Sequence, residues 1–161
     1  MSIVSEKWRE GEFSLDEQLR FEAISPDAEE YPQMIDLRLR ILRHPLGLGF
    51  TPEDLAAERE DFHIVGYLGR RLVACLLLCP QSGERLKMRQ VAVEEDLQGR
   101  GMGSAMVIFS EAFAIEKGFS EMVLNARELV VPFYERLGYE VMSERFIEVT
   151  IPHFTMQKRL S

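Results

Sequence analysis

No apolar run in this chain approaches the ~20 residues needed to cross a bilayer. Residues 1–8 carry acidic side chains and lack the long apolar stretch of an export signal. The expectation is a cytoplasmic protein with no membrane partner. Cysteine is scarce, with Cys75 and Cys79 the only two in 161 residues. Four residues of strand separate them by ~13 Å, too far for a disulfide. They read as buried thiols, which suits a reducing compartment. Histidine is nearly as rare, at three, and neither residue type shows metal-ligand spacing. Positive charge is in deficit: 19 Lys and Arg against 27 Asp and Glu, a formal net charge of −8. That argues against a nucleic-acid partner. It suits a cationic amine, although an acidic surface by itself is ordinary. The chain also lacks repeats, low-complexity tracts and linkers, so residues 1–161 read as a single domain. Residues 1–17, polar with scattered apolar positions, read as a loosely attached N-terminal extension.

What is present is a regular alternation of elements. Residues 19–24 alternate as a strand, ended by Ser25-Pro26-Asp27. Met34, Leu37, Ile41 and Leu42 recur at helical spacing within 29–43, and His44-Pro45 stops that helix. A loop follows, and Thr51 with Pro52 and Asp54 predicts a capped second helix to about Asp61. Residues 62–68 and 72–79 predict a hairpin joined at Gly69-Arg70, and 84–93 the next strand. A helix is expected over 101–117, with Met102, Ala105, Met106, Phe109, Ala112 and Phe113 on one face and Gly118 closing it. A strand over 119–124 and a helix over 128–137 follow, with Pro132 leaving only the later part of that helix regular. Two last strands, about 139–146 and 153–159, are split at Ile151-Pro152. Together these give an α/β fold: a mixed, mostly antiparallel central sheet with helices on both faces.

The most informative stretch lies between the strand over 84–93 and the helix after it. Gln98, Gly99, Arg100, Gly101, Met102, Gly103 and Ser104 form a glycine-rich entry to a helix. Such an entry offers uncrowded backbone N–H groups at the positive end of a helix dipole, a ready site for phosphate. The spacing fits neither a P-loop, which needs Lys and then Ser or Thr, nor a dinucleotide fingerprint, whose third glycine would fall on Ser104. The run Gln98–Gly103 resembles instead the Q/R-x-x-G-x-G/A signature of the GNAT N-acetyltransferase superfamily, in its small single-domain bacterial form. Val91, Ala92 and Val93 match the strand before that signature. Asn125 to Tyr139, ending Phe133-Tyr134-Glu135-Arg136-Leu137-Gly138-Tyr139, is similar to the family's later coenzyme-contacting strand and helix. The resemblance covers roughly residues 62–140, and the N-terminal third fits by layout only.

The resemblance implies a GNAT-like fold and an acetyl-coenzyme A-dependent transfer of an acetyl group to an amine, by direct attack. It implies that Val91, Ala92 and Val93 offer main-chain groups to the pantetheine arm, and that Gln98 to Ser104 hold the pyrophosphate. Asn125 would lie near the pantetheine or sulfur; turning the chain is an equal reading. Tyr134 would protonate the departing thiolate, which a group of ordinary pKa near 10 can do. Its alternative is helix packing beside Phe133. The acceptor amine, a small molecule or peptide, is expected between the loop 43–50 and the late segment 144–153, touching His44, Leu48, His153 and Phe154. A homodimer is the implied assembly. The strand glutamate that serves as base in one branch of the family falls on Lys87, so that role does not carry over. Glu84, Glu148, His153 or a water chain are left. A non-catalytic acyl-coenzyme A-binding module on the same fold is the alternative function.

Overall fold

The computed structural model describes residues 18–161. The extension expected over residues 1–17 lies outside the described residues. The elements run β1 (Leu19–Ile24), α1 (Tyr31–Arg38), α2 (Pro52–Ala56), β2 (Phe62–Leu68), β3 (Arg71–Pro80), β4 (Arg85–Val93), α3 (Met102–Glu116), β5 (Glu121–Arg127), α4 (Val131–Arg136), β6 (Glu140–Val141), β7 (Phe146–Glu148) and β8 (Ile151–Arg159). Eight strands form one sheet in the order β1-β2-β3-β4-β5-β8-β6, with β7 also on β8. Among the described residues, only β4 and β5 pair in parallel. The mixed, mostly antiparallel sheet is therefore the one expected.

Each face carries its own apolar core. On one side α3 and α4 cover Leu86, Met88, Met122, Leu124 and Met156. On the other α1 covers Val65, Cys75, Leu77, Cys79 and Ala92 through Met34 and Leu37. Both cysteines are free and buried. Burial pushes each thiol up to about 12, Cys79 with help from the Asp61 carboxylate.

Several boundaries differ from the sequence expectation. The first helix ends its regular turns at Arg38, then widens into a π-helical turn over Leu39–Arg43 before a 3₁₀ turn at His44–Leu46. Thr51 and Asp54 do form a reciprocal capping box, but the helix it starts spans only Pro52–Ala56. On α3, Ala112 is exposed, while Val107, Ser110 and Ala114 are buried. Ile151-Pro152 does not split a strand. It lies inside β8, where Pro152 faces Ile147 of β7 and β8 has not yet reached β5. No ladder to β5 is therefore broken by the missing N–H. The strand expected over 139–146 is two short ones, β6 and β7.

Candidate active site

Two irregularities in β4 create the site. The first is a bulge. Cys75 pairs with Ala92 and Leu77 with Arg89, two steps along β3 against three along β4. The extra residue sits at Gln90, whose φ is +55°. The second is a parting of strands. β4 and β5 pair only from Arg85–Glu121 to Met88–Leu124, although β4 runs on to Val93 and β5 to Arg127. Beyond Met88 the two strands diverge and leave a wedge with an unpaired β4 edge. The Glu94 N–H donates to Val73 O across β3. Alternation therefore turns the peptide groups of Val91 and Val93 away from β3, toward the wedge. An edge of this kind accepts an extended, amide-bearing chain as an added strand. The Val93 carbonyl already accepts from Gln98 Nε2 at 2.9 Å, which ties the glycine loop back to the strand.

The loop then delivers α3. Gly99 and Gly101 have φ of +77° and +87°, a conformation other residues adopt at a cost, and Gly101 is the residue before the first helical turn. No side chain caps that turn. The N–H groups of Met102, Gly103 and Ser104 have no partner within the helix, so a 15-residue helix aims its positive end at the loop. Gly103 faces α4: a Cβ there would stand 3.5 Å from the Phe133 ring. Arg100 is exposed on the loop beside these groups.

Tyr134 lies on α4, on the α3 side of the sheet, edge-on to Phe133 and Tyr139. Burial alone pushes its phenol up to about 12, and no charged neighbour contributes. It therefore keeps its proton throughout the neutral range.

A second group of side chains collects on the opposite face. Asn125 donates from Nδ2 to Glu148 Oε1 at 3.1 Å and accepts from Thr155 Oγ1 at 2.9 Å. His153 is buried, with Nδ1 2.7 Å from Ile151 O and its ring stacked on Phe146. A carbonyl only accepts, so Nδ1 carries the proton in the neutral ring and Nε2 is the basic nitrogen. Glu148 reaches this place through the β7–β8 turn. There Val149 and Thr150 hold φ of +50° and +63°, although turns of that hand favour Asn-Gly.

The remaining sequence expectations separate. Phe154 pairs with Ala126 and points to the α4 side, opposite to His153. Among the described residues, no hydrogen bond or ring contact joins it or His153 to His44 or Leu48. His44 is exposed and Leu48 partly buried. The loop they belong to is held down: Arg43 Nε and Nη2 donate to Gly49 O, and Phe50 lies between the guanidinium groups of Arg43 and Arg38. Glu84 precedes β4 at the far end of the sheet, where it accepts from Ser120 Oγ. Seven residues of strand put it ~23 Å from Val91, which removes it as a base. Lys87 lies before the strands part, between Cys79 and Val123.

Sequence reasoning missed Arg38, Glu58, Gln90 and Phe50. Arg38 is fully buried, and its guanidinium donates to both carboxylate oxygens of Glu58 at 2.9 and 2.8 Å. Its Nε donates to Gln90 Oε1 at 3.4 Å. Only its spacing gave a signal, since Arg38 follows Leu37 and lies four residues from Met34 on the buried side of α1.

The structure is that of an α/β protein whose sheet parts at a bulged strand, with a helix N-terminus at the mouth of the gap. The family model of the acetyltransferase (GNAT) domain matches residues 52–160. The chain belongs to the GNAT acetyltransferases, and by class it is an N-acetyltransferase. It is 34% identical over 102 residues to the uncharacterized N-acetyltransferase YjcF of Bacillus subtilis, across 63% of this chain and 72% of that one. Its fold is shared with a Lactobacillus plantarum protein assigned to the N-acetyltransferases (TM-score 0.81, 22% identity, 89% of this chain and 99% of that one). It is shared also with an Elizabethkingia anophelis GNAT acetyltransferase solved with acetyl-CoA bound (TM-score 0.70, 16% identity, 89% and 99%).

Proposed function

We propose that this protein transfers an acetyl group from acetyl-coenzyme A to a primary amine by direct attack. The observation that carries the reading is the open β4 edge at Val91 and Val93, followed through a 3₁₀ turn and the glycine loop by the start of α3. Strand edge and helix start suit the amide-bearing arm and the pyrophosphate of one ligand. Acetyl-coenzyme A is the acyl donor, and so a substrate; it supplies a thioester carbonyl activated toward amines. The amine nitrogen forms a bond to that carbonyl carbon while the carbon–sulfur bond breaks. N–H groups of β4 near Val91 stabilise the developing oxyanion. Tyr134, a neutral phenol whose pKa burial raises further, gives its proton to the departing sulfur. The amine enters from the α1 side, where His153 and Glu148 are the two titratable side chains next to Asn125 that are able to take its proton. Holding both reactants in one wedge supplies a large share of the rate.

The test is calorimetry with acetyl-coenzyme A, followed by detection of free thiol with a panel of amines. Micromolar binding and amine-dependent thiol release are expected. No binding would overturn the reading. Binding without turnover on any amine would leave a non-catalytic module in its place.

A further inference from the structure

Among the described residues, the largest side chain wholly sealed from solvent is a charged one, Arg38. Its neighbours on the same side of α1, Met34 and Leu37, show what packing against this sheet calls for. A buried ion pair is a poor substitute for apolar packing, because the desolvation of both ions offsets their attraction. Arg38 has its compensating charge in Glu58, itself buried, and a roof in the Phe50 ring 4.5 Å away. Of the donors not used on Glu58, the Nε–H reaches Gln90.

Gln90 is the residue that makes the bulge, and within β4 it alone has a positive φ. Glutamine gains nothing by itself in that conformation, so the surroundings must hold it there. It stands between Met88, the last residue paired to β5, and Val91, the first whose peptide group faces the wedge. The orientation of that peptide group therefore depends on how Gln90 is held.

We infer that Arg38 is a positioning residue for acyl transfer: braced by Glu58 and Phe50, it grips the Gln90 side chain and so fixes the β4 kink that directs the Val91 N–H toward the reacting carbonyl. The inference rests on the reading under Proposed function. It also links the acceptor side to the donor side, since Phe50 ends the loop that covers Arg38 and Gln90 begins the donor-binding edge.

Gln90→Gly separates positioning from folding. Glycine accepts the positive φ freely but has no side chain for Arg38 to hold. The melting temperature is expected to stay level or rise, and acetyl-coenzyme A affinity to stay within about threefold by calorimetry. Turnover with the best amine of the panel should fall ~10–100-fold, the order produced by misplacing reacting groups. Acetyl-coenzyme A hydrolysis, which needs no amine, should fall with it. The pair Arg38→Met with Glu58→Leu removes both charges together, leaves neither unpaired, and should show the same loss at unchanged affinity. Wild-type turnover in a folded Gln90→Gly protein, or a loss only in step with the unfolded fraction, would overturn the inference. If the wild-type chain bound no acetyl-coenzyme A, the functional reading beneath it would fail first, and the two failures are thus distinguishable.

Discussion

The two faces of the sheet beside the β4–β5 wedge are built from different material. On the α3–α4 side, the parts proposed to meet a ligand are peptide groups: the edge at Val91 and Val93, the loop with φ of +77° and +87° at Gly99 and Gly101, and the N–H groups of the first turn of α3. On the α1 side they are the side chains of Asn125, Glu148 and Thr155, and the buried Arg38–Glu58 pair, bonded to Gln90, lies on the same side. A backbone site needs glycines at fixed places and tolerates change elsewhere. A side-chain site is changed by any substitution in it. Donor recognition on the first face and acceptor choice on the second can therefore vary separately on one scaffold.

The largest effect should come from Tyr134, the side chain proposed as the acid on the backbone-built face. Tyr134→Phe keeps the ring between Phe133 and Tyr139 and removes the proton. A fall in kcat of ~10²–10⁴ is expected, with acetyl-coenzyme A affinity within a few-fold. Burial holds the phenol at about 12. An alkaline limb of the rate profile below pH 10 therefore belongs to another group and should persist in the Phe variant. Wild-type kcat under conditions where chemistry limits the rate would make Tyr134 a packing residue.

Gly103→Glu tests the peptide groups themselves. Gly103 has no positive φ, and a Cβ there makes ordinary contact with Phe133, so the backbone need not strain. A glutamate in the first turn even favours the helix. It also brings negative charge to the place proposed for phosphate. Acetyl-coenzyme A affinity should drop ~100-fold or more while the melting temperature holds. Unchanged affinity would remove the loop from donor recognition.

This contrast also accounts for what was legible in the sequence. The glycine loop announces itself because few residues tolerate its conformation, and β1, the β2–β3 hairpin and the Thr51 cap announce themselves through alternation and capping chemistry. The bulge at Gln90 carries no such mark. No glycine signals it, and the residue that bonds the Gln90 side chain, Arg38, lies 52 residues away in sequence. Pro152 misled in the opposite sense, since its tolerance in β8 depends on where β5 ends. The expected alliance of Phe154 with His153 failed on the simplest ground, that adjacent strand residues face opposite ways.

On the side-chain face, smaller and more selective effects are expected. Glu148→Gln keeps an acceptor for Asn125 and removes an exposed charge. If the acceptor is a cationic amine, its KM should rise ~5-fold, about 1 kcal/mol, with coenzyme affinity untouched. Phe154→Ala, on the other face, should leave the amine KM alone. The reverse pattern, a KM change in Phe154→Ala and none in Glu148→Gln, would place the acceptor across the sheet.

The smallest effect is expected at the far support of the acceptor side. Thr51 Oγ1 accepts from the Asp54 N–H, and Asp54 Oδ2 accepts from the Thr51 N–H, so each closes one donor at the start of α2. That helix is five residues long, and the turn after it carries Glu58 under Arg38. Thr51→Ala should cost about 1 kcal/mol of stability, seen as a melting temperature lower by a few degrees. The backbone N–H of Thr51, which alanine keeps, is the main cause holding the Asp54 carboxyl below its usual range. A depressed carboxylate pKa contributes stability above the unfolded value and loses it as pH falls through the folded one. That contribution is common to wild type and Thr51→Ala, so the difference between them should be nearly the same at pH 3 and pH 7. Coenzyme affinity should be unchanged, because Thr51→Ala alters none of Glu58, Arg38 and Gln90, which link the turn after α2 to the donor edge. A loss of coenzyme affinity equal to the loss of stability would mean that the two faces do not vary separately after all.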